Sequence, residues 1–152
     1  MRIYLPATLA ELDRTQGLTA RLVHTVTPAL RRAFPEEDDE GLEFVAQLLA
    51  ADDSLDRLNG IGAGRRRRVV VAADVPEGVV DPVDDAHAPS VVQLTTTAEW
   101  DEIACAHVDE PGAEADVVAA LAGDGAAVER LAERDLLWYD VTELGRLAAS
   151  VR

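Results

Sequence analysis

The nine residues Arg67-Arg68-Val69-Val70-Val71-Ala72-Ala73-Asp74-Val75 restrict the architecture of this chain more than any other stretch. Val69 to Ala73 is apolar without a break, rich in β-branched residues, and bounded by arginines on one side and Asp74 on the other. Successive side chains of a strand point to opposite faces, so a strand with one wet face alternates apolar and polar residues. An unbroken apolar run instead fits a strand covered on both faces. Such a strand requires a sheet with other parts of the chain packed above and below it.

The flanking sequence supplies those parts. Ile3-Tyr4-Leu5 reads as a short strand, and Thr8 with Glu11 three residues on forms a capping-box pattern for a short helix ending near Gly17. Leu22 to Val26 reads as a second strand. Thr27-Pro28 places a cap before a proline at the first helical position, opening a helix that Pro35 stops. The acids at 36–40 suit the positive end of a longer helix carrying Leu42, Val45, Leu48, Leu49, Leu55 and Leu58 at helical spacing. After the central strand, residues 76–89 hold three prolines and several aspartates and read as an exposed loop. Residues 91–96 and 103–108 read as strands four and five. Two helices follow, carrying Val117, Val118 and Leu121 and then Val128 and Leu131. Leu136 to Tyr139 is a sixth strand, and a last helix carries Leu144, Leu147, Ala148 and Val151. The expected fold is α+β, with one mixed sheet of about six strands, an antiparallel meander in the middle of the chain and helices in the long crossovers. Residues 1–152 are expected to form one domain.

Apolar residues are 48% of the sequence, enough for a globular core, whereas aromatics are only 4%, so Ala, Val and Leu must fill it. The formal net charge of −15 disfavours nucleic acid and anionic membrane surfaces, since non-specific binding to either needs cationic groups. All 14 basic residues are arginine, which excludes a Schiff-base lysine and a phosphate-loop lysine. Cys105 is the one cysteine, so no disulfide forms within the chain. With no signal-like start and no membrane-length apolar run, the expectation is a soluble cytoplasmic protein.

The segments Arg2-Ile3-Tyr4-Leu5-Pro6-Ala7-Thr8, Val26-Thr27-Pro28-Ala29-Leu30-Arg31, Arg67 through Pro76, His107-Val108-Asp109 and Leu136-Leu137-Trp138-Tyr139 together resemble a family of small uncharacterised actinobacterial proteins. The resemblance spans nearly the whole chain. It implies no activity, cofactor or catalytic residue.

Candidate sites therefore come from the residues alone. There is no Gly-x-Ser-x-Gly, His-Glu-x-x-His or Cys-x-x-Cys. Cys105, His107 and Asp109 alternate on strand five and are metal-ligand types, but no second ligand cluster accompanies them, and His24 and His87 lie far off in sequence. No metal and no cofactor is expected. If strands three to five form a meander, strands three and five run parallel, and Asp74, His107 and Asp109 share one sheet edge. There His107 beside a carboxylate could act as a general base. Turn and cap roles, the usual work of an aspartate after a strand, suit these residues better. Gly60-x-Gly62-x-Gly64 precedes Arg65, Arg66, Arg67 and Arg68. These arginines, with Tyr139, are the candidate ligand-binding residues. Against an anion site, the glycines lead into a strand rather than a helix, and pairing with carboxylates such as those at 36–40 suits the arginines better. Trp100, Trp138 and Tyr139 read as core anchors.

Two function classes remain. The first is a non-enzymatic domain that binds a protein partner or a second copy, which requires an exposed apolar patch on the last helix or the sheet edge. The alternative is a small enzyme or small-molecule binder with a pocket around Asp74, His107 and Asp109.

Overall fold

The computed structural model describes residues 1–13, 16–60 and 65–150. Its seven strands are β1 (Arg2–Ala7), β2 (Arg21–His24), β3 (Val69–Asp74), β4 (Val80–Pro82), β5 (Val91–Leu94), β6 (Ile103–Val108) and β7 (Leu137–Asp140). The helices are α1 (Pro28–Ala33), α2 (Asp39–Asp56), α3 (Glu114–Leu121), α4 (Gly125–Glu133) and α5 (Leu144–Ala149). The strands form one sheet in the order β4-β5-β2-β1-β3-β6-β7. The α+β class holds.

Three details of the expected sheet are corrected. It is antiparallel at every pairing rather than mixed. It has a seventh strand, β4, inside the stretch read as loop, where Asp81 and Pro82 hide a hairpin partner of β5. The meander is absent: β3 lies between β1 and β6, while β5 sits beyond β2. Short connections suggested adjacency, but β1 and β6 supply the apolar neighbours that a strand covered on both faces needs.

β3 is an interior strand between β1 and β6, and Val69 to Ala73 are all buried. Its side chains alternate between two cores. Val69, Val71 and Ala73 join Ile3, Leu5, Val23, Ala106 and Leu144 of α5 on one face. Val70 and Ala72 join Tyr4, Cys105, Leu30 of α1 and Leu42, Ala46 and Ala50 of α2 on the other. The alanines of α2 let its axis come close to the sheet. Ser54, near its end, is fully buried; its hydroxyl donates to the Ala7 carbonyl (2.8 Å) and accepts from the Val69 amide (2.9 Å). A third cluster joins Leu58 to Val117 of α3 and Leu131 of α4.

Local signals act as the residues suggest. Thr27 caps α1, its hydroxyl accepting from the Leu30 amide at 3.0 Å with Pro28 next. Asp38 caps α2 through the Gly41 amide at 2.8 Å. The Thr8–Glu11 motif forms, with the Thr8 amide donating to Glu11 Oε1 at 3.0 Å, but it opens a 3-10 turn, Leu9–Asp13, rather than the short helix expected to end near Gly17.

Candidate functional sites on the two flanks of α2

The grouping of Asp74, His107 and Asp109 does not occur. β3 and β6 are antiparallel, pairing Val69 with Val108 and Ala73 with Ile103. Asp74 and Asp109 therefore sit at opposite ends of the β3–β6 pair, separated by roughly 20 Å at the rise of a strand. Asp74 is exposed and forms a two-pronged ion pair with Arg2, at 2.8 and 3.0 Å. Asp109 is fully buried and is held by Arg68, whose Nε and Nη2 donate to its two carboxylate oxygens at 2.8 Å each. The Arg68 amide adds a third bond at 2.9 Å. Asp109 thus closes the start of β3 against the end of β6.

The arginine quartet divides accordingly. Arg67 and Arg68 are buried; Arg67 Nε donates to the Asp109 carbonyl at 2.7 Å. Their partner is Asp109 rather than the acids at 36–40. Arg65 is exposed and Arg66 half-buried. Gly62 and Gly64 lie outside the described residues. Tyr139 packs half-buried against the core beneath α5. Trp100 donates its ring N–H to the Gln16 carbonyl at 2.6 Å. Trp138 is no core anchor, for it is 60% exposed.

Two other constellations appear on the face of the sheet that α2 covers. Asp53 and Phe44 are nine residues apart on α2, which at about 3.6 residues per turn places them on opposite flanks. On the flank toward β2 and β5, the Asp53 carboxylate receives two imidazoles. His24, at the end of β2, is fully buried and reaches Asp53 Oδ2 through Nε2 at 2.6 Å. Its Nδ1 meets the Ser90 hydroxyl at 2.6 Å. His87, on the β4–β5 loop, is exposed and reaches Oδ1 and Oδ2 through Nε2 at 3.0 and 2.9 Å. The two rings meet edge to face, with centroids 6.1 Å apart. Burial raises the pKa of Asp53, but the hydrogen bonds from His24 and His87 outweigh it and hold the carboxyl below its ordinary range. The loop is anchored by the Thr25 amide on the Ser90 carbonyl at 2.9 Å and by the Thr27 hydroxyl on the Pro89 carbonyl. His87 also lines a groove of about 820 Å³, together with Thr27, Arg32, Val83 and Val92.

Sequence reading missed this cluster because its members are separated by 29, 34 and 66 residues and share no local spacing. The usable signal was modest: two of the three histidines flank segments whose backbone had to be near α2.

The other flank faces β7, which lies at the rim of the sheet. His107 and Trp138 are paired across β6 and β7 and share a face with Phe44 and Leu48 of α2. With Gln47, Asp135 and Leu136 they line a cavity of about 430 Å³. Phe44 is 51% exposed. Cys105 Sγ lies 3.8 Å from His107 Nε2. Burial first, and the Arg2 charge second, lower the His107 pKa, so the ring is neutral at neutral pH. No helix among the described residues is long and apolar enough to cross a membrane.

A family model matches residues 1–148 of the chain; its description is a family of unknown function, DUF6912. No curated protein and no solved structure matches.

Proposed function

We propose that this chain, which belongs to the DUF6912 family of unknown function, is a non-enzymatic binding protein whose site is the β7 rim of the sheet. The proposed occupant is an extended segment of a protein partner in which apolar and cationic residues alternate. The observation that carries this reading is the outer edge of β7, which has no strand neighbour among the described residues and presents Trp138 at 60% exposure. An open edge offers backbone donors and acceptors to an added strand.

The two edges of the sheet support the choice. At the opposite edge β4 has three residues, one of them Pro82, a common protection against added strands. β7 is Leu-Trp-Tyr-Asp with no such protection. Alternate residues of a strand laid beside it would enter the cavity between Trp138, Phe44 and His107. The charge balance selects the partner. Two copies at −15 repel each other, whereas a cationic segment is attracted, more so near Asp135 and Asp140. The reading takes the chain as one cytoplasmic domain that does not bind nucleic acid.

The test is titration of the ¹⁵N-labelled protein with an eight-residue peptide of alternating Val and Arg, beside one of alternating Val and Glu. The Val–Arg peptide should shift the amides of 137–140, Phe44, Leu48 and His107, weaken with salt, and lose its effect on Trp138→Ala. Equal response to both peptides, or none, overturns the reading. So does light scattering that reports a dimer in which β7 is occupied by a second copy.

A further inference from the structure

On the opposite flank of α2, we propose that His24, Asp53 and His87 form a binding site for one divalent first-row transition ion of the zinc type, independent of any partner at β7. One ligand atom from each of the three residues, a ring nitrogen from each histidine and a carboxylate oxygen from Asp53, lies within 4.8 Å of the other two. Zinc takes imidazole nitrogens and carboxylate oxygens at about 2.0–2.2 Å, which sets ligand atoms roughly 3.3 Å apart in a tetrahedral arrangement. The two hydrogen-bonded separations, 2.6 Å for His24 and 2.9 Å for His87, need to open by less than 1 Å, roughly. His87 is exposed on a loop and is able to make that adjustment.

The surroundings have the features of a metal site rather than of a plain ion pair. Nothing about folding requires two imidazoles to aim the same ring nitrogen at one carboxylate. Both must donate a proton there when no ion is present; an ion takes the place of both protons, and each ring moves its proton to Nδ1. For His24 that Nδ1 already faces the Ser90 hydroxyl, the outer contact that fixes tautomer and ring orientation in metal-binding histidines. His24 is entirely buried and anchored to the sheet, Asp53 is anchored to α2, and His87 closes the set from the loop side. Two nitrogens and one carboxylate leave a coordination position open. His87 also lines the groove of about 820 Å³, from which water or a small ligand would complete the shell. The donor set excludes calcium and magnesium, which take oxygen ligands.

The site is tested on the full chain, stripped with a chelator and then titrated with Zn²⁺ by calorimetry and with Co²⁺ by visible absorption. One ion per chain should bind, with ligand-field bands of a four- or five-coordinate cobalt centre. His87→Ala, an exposed loop change that leaves the core intact, should abolish stoichiometric binding. Ser90→Ala should weaken it by about tenfold or more. His107→Gln, which alters the separate Cys105–His107 contact, should bind as the parent does. Zn²⁺ should raise the melting temperature of the parent and of His107→Gln but not of His87→Ala. No uptake by the parent, uptake by His87→Ala equal to the parent, or loss of uptake in His107→Gln each overturns the proposal.

Discussion

α2 separates two regions built on the same face of the same sheet, and they solve opposite problems. Toward β2 and β5 its flank carries a carboxylate whose hydrogen-bonding capacity is taken up by His24 and His87. Toward β7 it carries Phe44 and Leu48, both exposed beside an exposed tryptophan. The first flank holds a paired polar cluster under a loop, with a groove beside it; the second leaves apolar side chains uncovered. A buried polar group is costly when left unpaired, so the His24 side must be complete in the folded chain. An exposed apolar group costs the folded chain little and gains only when something covers it. The polar flank should therefore govern stability, and the apolar flank should govern association.

The largest effect expected from this contrast is that of Asp53→Ala. It removes the partner of a fully buried imidazole and detaches His87, and a buried group left unsatisfied costs about 1–3 kcal/mol. Urea unfolding of the metal-free protein measures it. A loss no larger than that of an ordinary surface substitution would erase the distinction between the flanks.

Ser90→Ala follows. It leaves Asp53 in place and removes only the bond to His24 Nδ1, for an expected loss of about 1 kcal/mol in the same measurement. Combined with Asp53→Ala, it should fall short of additivity, because both act through the same ring.

Acid should separate the flanks by pH window. The folded-state pKa of Asp53 is lowered, so the unfolded chain binds more protons in acid. Its contribution is complete above about pH 4 and is lost as pH falls through the folded value. The folded-state pKa of His107 is also lowered, here from 6.5, because burial and Arg2 disfavour the charged ring. The stability tied to keeping it neutral is complete above pH 6.5, the unfolded value, and declines as pH falls below it toward the folded value. Urea midpoints measured against pH should lose the His107 part of the upper slope in His107→Gln, and the Asp53 part of the acid slope in Asp53→Asn.

What could be read in the sequence follows the range of the interactions concerned. β3, β6, the Thr27–Pro28 helix start and the length of α2 were legible because each rests on neighbours within a few residues. The strand order was not, because strand pairing is settled by which apolar faces meet, and the short connections around 76–102 pointed to the wrong neighbours. Reversing the relation of β3 to β6 sends Asp74 and Asp109 to opposite ends, and the expected site dissolves with it. Asp109 was noticed for the right chemistry, a carboxylate after a strand, yet its partner is Arg68, 41 residues away. His24 was unreadable for a related reason: an isolated histidine in a β-rich stretch has no significance until α2 brings Asp53 over it. Trp138 misled because large aromatics are usually covered, and only its place on a rim strand leaves it out.

The smallest expected change in stability, and the sharpest test of the contrast, belongs to Trp138→Ala. With 60% of the residue exposed, the ring gives up far less area than a core aromatic and leaves no polar group unpaired, so the substitution should shift unfolding by about 1 kcal/mol or less. The same change should abolish binding of the alternating Val–Arg peptide, because the ring forms the wall that an added strand would meet. Asp53→Ala should do the reverse, lowering stability while leaving peptide affinity near that of the parent wherever the protein remains folded. Peptide affinity that tracks stability across both variants would mean that α2 transmits strain between its flanks; affinity that follows Trp138 alone would mean that they act as separate sites on a common helix.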